Sequence, residues 1–139
     1  MKIEKEFVVG RGSGDVAMIL NQDETFAQLF PDTHVERIGP NERETRTRYP
    51  GLDRNRDIRF VFRTLPTGEL HFEKVCDGNV WRSLEGQVRI EIVDENMTRI
   101  VLSMEGRTRA YVPEMTIRMP MREQIDQMAK TLRAALENS

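Results

Sequence analysis

The sequence predicts an α+β domain in which a curved, seven-stranded antiparallel sheet wraps around one long C-terminal helix. Three observations carry that expectation. Across residues 42–110 apolar and polar side chains alternate with the two-residue period of a strand, broken only by short turns rich in Gly, Pro, Asn and Asp. Across residues 117–136 the period changes, with Ile117, Met121, Ile125, Met128, Leu132 and Leu136 following steps of three or four. Between the first strand and the second lie two short stretches of helical period. A sheet with one apolar face and a helix with one apolar stripe bury both by packing together.

Residues 2–9 form the first strand, with Ile3, Phe7 and Val9 on its apolar face and Lys5 as an exception there. The run Gly10-Arg11-Gly12-Ser13-Gly14 breaks it. Ser13 is placed as the cap of a short helix running through Asn21, with Val16, Ile19 and Leu20 apolar. Asp23 is placed as the cap of a second helix over residues 24–30, which Pro31 stops. A strand near 33–39 carries Val35 and Ile38, and Gly39-Pro40-Asn41 turns the chain. Residues 42–49 make a polar strand. Thr45, Thr47 and Tyr49 are placed inward and Arg46 and Arg48 outward, with the reversed register left open. Pro50-Gly51 suits a turn that leads into a loop over residues 53–56.

Four strands follow. Residues 57–65 put Ile58, Phe60 and Phe62 on one face. Residues 69–76 put Leu70 and Phe72 there. Residues 80–93 add Leu84, Val88, Ile90 and Ile92, and residues 97–110 add Ile100, Leu102 and Met104. Their turns, Pro66-Thr67-Gly68, Asp77-Gly78-Asn79 and Asp94-Glu95-Asn96, are too short for parallel crossovers, so consecutive strands must be antiparallel neighbours. Trp81 falls on the outward parity, as a cap on the sheet edge or the mark of a bulge near Gly86. The closing helix starts either at Thr116 as cap, which puts Pro120 in its first turn, or at Pro120 itself.

Composition sets limits on function. Lys and Arg number 21 against 23 Asp and Glu, a net charge of -2, so there is none of the basic excess expected of a nucleic-acid binder. Arg and Glu alternating along strands read as a solvated, ion-paired outer face. Cys76 is the only cysteine, which excludes an intrachain disulfide. Charges interrupt the N-terminus where a signal peptide would be apolar, and no apolar run reaches the length of a membrane span. A cytoplasmic location is expected, with transient membrane contact at most. Oligomeric state is left open.

The order strand, two short helices, six strands, long helix resembles the START-like, or SRPBCC, superfamily, which includes polyketide cyclases, lipid-transfer domains and coenzyme Q-binding proteins. The resemblance covers residues 1–139 as a single domain. It rests on the opening strand over residues 1–9, the DETFAQLFP segment at residues 23–31 and the closing helix over residues 121–136. It implies a helix-grip fold with a pocket between the concave face of the sheet and the long helix.

The expected pocket residues are Phe60, Phe62, Phe72, Ile90, Leu102 and Met104 from the sheet, and Met121, Ile125 and Met128 from the helix. Aromatic walls and flexible thioethers suit a site for apolar molecules of varied shape. A cavity of several hundred Å³, open near residues 50–57, is therefore expected. Thr64, Lys74, Cys76 and Arg82 share the inward parity but stand near strand ends, where the rim is their ordinary place. Tyr49 and Arg82 are the candidates for a polar pocket or rim. No catalytic residue, metal or cofactor is expected. The glycine run lacks both the Gly-Lys-Ser/Thr ending and the G-x-G-x-x-G spacing of a phosphate loop, and His34, His71 and Cys76 show no paired-ligand spacing.

Three functions fit these expectations. The leading one is a binding protein that holds an apolar small molecule, such as a lipid, quinone or polyketide-like compound, without chemistry. The second is a polyketide cyclase or aromatase, with Arg82 and Tyr49 polarising carbonyls. The third is a protein-interaction domain of the Hsp90-activator kind.

Overall fold

The computed structural model of the chain describes residues 1–30, 32–47, 58–76 and 80–138. Its elements are β1 (Lys2–Val9), α1 (Ser13–Leu20), α2 (Asp23–Ala27), β2 (Thr33–Gly39), β3 (Glu42–Thr47), β4 (Ile58–Thr64), β5 (Leu70–Lys74), β6 (Trp81–Asp94), β7 (Met97–Thr108) and α3 (Met115–Asn138). The seven strands form one antiparallel sheet in the order β1-β7-β6-β5-β4-β3-β2. From β2 to β7 each strand pairs with the next in sequence, and β1 closes against β7. The α+β architecture and the seven strands are as the period changes imply. Tyr49, Arg48, the Pro50-Gly51 turn, the 53–56 loop, the Asp77-Gly78-Asn79 turn and Pro31 lie outside the described residues.

α3 lies over β1 and β7. Its stripe of Ile117, Met121, Ile125, Met128, Leu132 and Leu136 is buried along its whole length. Lys5, the charged exception on the apolar face of β1, reaches Asp126 of α3 at 2.7 Å. The inward cation thereby becomes a strand-to-helix ion pair. Arg11 donates from Nε to the backbone oxygen of Leu136, holding the far end of α3 to the loop after β1. Asn21 is the hub between α1 and the β4–β5 hairpin. Its Nδ2 donates to the carbonyl oxygens of Ala17 and Gly68, and its Oδ1 accepts from Thr64 Oγ1 at 2.6 Å.

Several local expectations are corrected. Ser13 and Asp23 are first helical residues rather than caps. Gly12 and Gln22 occupy the cap positions, and neither helix start has a side-chain cap. α2 ends at Ala27, and tighter bonds such as Leu29 N to Phe26 O carry the chain on. α3 begins at Met115, before either expected start, so Pro120 lies inside it. The preceding Thr116 and Ile117 amides bond back to Pro113 and Glu114 in a tight opening turn.

β6 differs most from simple alternation. Its register with β7 shifts between Trp81 and Ser83, not near Gly86, which pairs regularly with Phe72 and Met104. The extra residue flips the phase of the strand end. Trp81 consequently turns inward and is buried, and Arg82 turns out to solvent, the reverse of their expected parities. Lys74 Nζ then lies 4.4 Å from the centre of the Trp81 ring, which accommodates the inward lysine as a cation–π contact. At the other end Ile92 keeps inward parity but is 72% exposed. The loop after β1 rests there on the hairpin turn and covers Thr98, whose Oγ1 donates to Arg11 O at 2.7 Å, rather than Ile92.

Candidate functional site

The concave face divides into an aromatic wall and a polar stripe. On the wall, Phe62 meets Phe26 of α2 at 5.2 Å between ring centres and Phe72 at 5.4 Å. Phe60 meets Phe72 at 6.0 Å and stacks on Phe30 at 6.2 Å. The stripe is β3, whose inward residues Arg43, Thr45 and Thr47 are all buried. The inward register of Thr45 and Thr47 is thus the one adopted, and it brings Arg43 in with them.

Arg43 is anchored rather than free. Its Nε donates to Asp23 Oδ1 at 2.7 Å, another guanidinium nitrogen donates to Asn21 O at 2.8 Å, and the group lies 4.7 Å from the Phe26 ring centre. The hydrogen bond from Arg43 holds the Asp23 carboxyl below its ordinary 3.8, with the Arg43 and Arg37 charges adding to the effect. A depressed folded-state value means that the contribution of Asp23 is complete above the unfolded value and is lost as pH falls through the folded one. Asp23→Asn should therefore lower the urea midpoint most near neutral pH, with the gap to wild type closing below about pH 4. A gap that does not change with pH would show that the ion pair contributes nothing.

A void lies where β3, β4, α3 and the segment after α2 meet. It is lined by Phe30, Thr47, Ile58, Phe60 and Gln124 and has a volume of about 10 Å³. That is room for about one water, not the cavity of several hundred Å³ expected here, because among the described residues Phe62, Phe72, Met104, Met121 and Met128 pack against one another in the core instead of walling an open space. Two buried polar atoms in this region, Thr45 Oγ1 and Gln124 Oε1, have no hydrogen-bond partner. Thr45 is paired across the strands with Phe60, and Thr47 with Ile58. Thr47 satisfies its own hydroxyl against that of Thr33 at 2.8 Å.

Of the nine expected pocket residues, Phe60 lines this void. Phe62, Phe72, Leu102, Met104, Met121, Ile125 and Met128 are buried in the core, and Ile90 is half-buried on β6. Two inward glycines account for much of the close packing. A Cβ at Gly86 would stand 2.3 Å from Phe72 Cζ, so that ring sits against the bare glycine backbone. A Cβ at Gly106 would stand 2.7 Å from Met121 Sδ. Of the two polar candidates, Tyr49 lies outside the described residues and Arg82 points to solvent beside the bulge. Periodicity could have found Gln124, a polar residue three positions after Met121 on the same helix face. A stripe traced through apolar residues alone does not include it.

Among solved structures, a START superfamily protein from Mycobacterium smegmatis superposes with a TM-score of 0.74 at 13% identity, over 97% of this chain and 96% of that one. The chain has a START-like fold. The Zhui aromatase/cyclase from Streptomyces sp. R1128 gives a TM-score of 0.70 at 15% identity over 98% and 90% of the two chains. Norcoclaurine synthase from Thalictrum flavum, solved with dopamine and hydroxybenzaldehyde, gives 0.71 at 13% over 96% and 84%. No family model and no curated protein sequence matches the chain. Identities this low carry the helix-grip architecture alone and leave any chemistry to the chain's own residues. No helix among the described residues is long and apolar enough to cross a membrane.

Proposed function

We propose that this START-like domain is a binding protein for an apolar small molecule of the lipid, quinone or polyketide-like class. The molecule is taken up between the concave face of the sheet and α3, at the end marked by Phe30, Phe60 and Gln124. The observation that carries this reading is Gln124 Oε1, a buried and unpartnered polar atom on the lining of an otherwise apolar void, with a second such atom, Thr45 Oγ1, on the residue across from Phe60. Each such atom costs about 1–3 kcal/mol when left unpaired, a cost that a ligand with a matching polar group offsets. The void is small as it stands, so uptake requires the stacked Phe30 and Phe60 rings to part. The fold shared with START proteins and aromatase/cyclases supports a small-molecule site. Carriage is favoured over catalysis because Arg82, the candidate for polarising a carbonyl, faces solvent.

Phe60→Trp places a fluorophore at the void. Titration with a naphthoquinone should quench it saturably at micromolar concentrations. The same ligand at about 100 times its Kd should stabilise the wild type by about 2.7 kcal/mol, read as a raised Tm. If neither quinones, fatty acids nor hydrophobic dyes change the fluorescence or the Tm at saturation, the reading fails and a protein-interaction domain becomes the better one.

A further inference from the structure

On the outer face of the sheet, remote from the void, the fold assembles a group that the chain order disperses. His71 and Glu73 stand two apart on β5 and so project to the same side. Glu85 of β6 lies directly across from Glu73. A ring nitrogen of His71 and a carboxylate oxygen from each glutamate all lie within 4.8 Å of one another. His71 Nε2 is 3.9 Å from Glu85 Oε2, too far for a hydrogen bond.

Two further observations single this group out from an ordinary charged surface. The first is a like-charge row. Glu105 of β7 lies directly across from Glu85, so three glutamates stand side by side on three adjacent strands. Like charges directly opposite one another destabilise a sheet. Glu105 is countered by Arg107 at 3.5 Å and faces Lys2 on β1. Arg63, across from His71, is engaged by Glu42 at 3.3 Å. Glu73 and Glu85 are left facing each other, with the imidazole beside them. The second is a concavity of about 110 Å³ beside the group, bordered by two of its members, His71 and Glu85, and by Gln87, Ser103, Glu105 and Lys2; Glu73 stands outside it, so the space serves the waters of an ion held at its rim.

We infer that His71, Glu73 and Glu85 form a surface site for a divalent transition metal of the zinc class. One imidazole nitrogen and two carboxylate oxygens bind the ion, and water completes its coordination. Imidazole in the ligand set favours zinc, copper or nickel over calcium and magnesium, which prefer all-oxygen shells. Metal–ligand bonds of about 2.0–2.2 Å require the three groups to close by roughly 1 Å. Rotation of the two exposed carboxylates supplies that movement. The ion would neutralise the Glu73–Glu85 opposition and tie β5, a strand of five residues, to β6.

The test is titration of the chelator-treated protein, residues 1–139, with zinc chloride, by calorimetry and by NMR of the histidine rings. One site with a Kd of about 10 µM is expected, with the resonances of His71 shifting and those of His34 unmoved. His71→Gln and Glu73→Gln should each weaken binding at least about tenfold, whereas His34→Gln and Cys76→Ser should leave it unchanged. His71, Glu73 and His34 carry side chains that can change without entering the core, Cys76→Ser is a near-isosteric change at the core's margin, and the wild-type NMR shifts stand independently of any variant. Absence of saturable binding below about 1 mM zinc, retention of wild-type affinity in His71→Gln, or equal affinity for calcium would each overturn the site.

Discussion

Ile125→Asp should unfold most of the protein at temperatures where the wild type is folded. Ile125 is buried on the face of α3 that lies on the sheet, between Met121 and Met128. The substitution removes a branched apolar side chain, worth about 2–5 kcal/mol at such a site, and leaves a carboxylate that must be neutralised or hydrated. A loss of about 4 kcal/mol or more is a large part of a total stability on the order of 5–15 kcal/mol. Arg122→Asp, at an exposed position of the same helix, is the control, and it should shift stability by no more than about 0.5 kcal/mol. Comparable melting temperatures for wild type and Ile125→Asp would show that α3 does not pack against the sheet.

Gly86→Ala should be the most damaging single-methyl addition. Its Cβ would come within 2.4 Å of the Ser103 carbonyl oxygen as well as 2.3 Å from Phe72 Cζ. The ring can move only into other rings of the aromatic wall, and the carbonyl belongs to the neighbouring strand. A loss of about 3 kcal/mol is expected, well above the gain of up to about 1 kcal/mol from restricting the unfolded chain. Phe72→Leu should relieve the ring clash but not the carbonyl clash. The double variant should therefore recover only part of the loss, with a coupling of about 1 kcal/mol in a double-mutant cycle. Gly106→Ala provides the contrast. Its new methyl would meet the side-chain ends of Met121, Trp81 and Ile117, which can give way, so its cost should be about 1 kcal/mol. Equal losses at Gly86 and Gly106 would contradict this difference between backbone and side-chain obstruction.

The order of elements, the antiparallel meander and the buried stripe of α3 were legible in the chain because each depends on local period. A strand buried on one face must alternate, a helix buried on one stripe must repeat every three or four residues, and short turns leave antiparallel pairing as the geometry available. Lys5, an exception to its strand's alternation, was also visible as such, but its partner was not. Asp126 lies far along the chain, and only the laying of α3 over β1 brings the two together.

The site depended far more on tertiary structure. Parity placed Phe60, Phe62 and Phe72 correctly on the inner face, but parity states a direction and not whether space remains in front of it. Gly86 and Gly106 let Phe72 and Met121 sink into the sheet, while the described void formed at the edge, where Phe30 and Gln124 meet Phe60. One extra residue between Trp81 and Ser83 sent the tryptophan inward and Arg82 outward, and alternation cannot reveal a bulge that reverses its own phase. His71, Glu73 and Glu85 likewise became neighbours only through the register of β5 against β6. Local period thus determined which residues lie in helices and strands and which face most of them take. Register, bulges and the filling of space, set by contacts between residues distant in sequence, decided which side chains converge and where room is left between them.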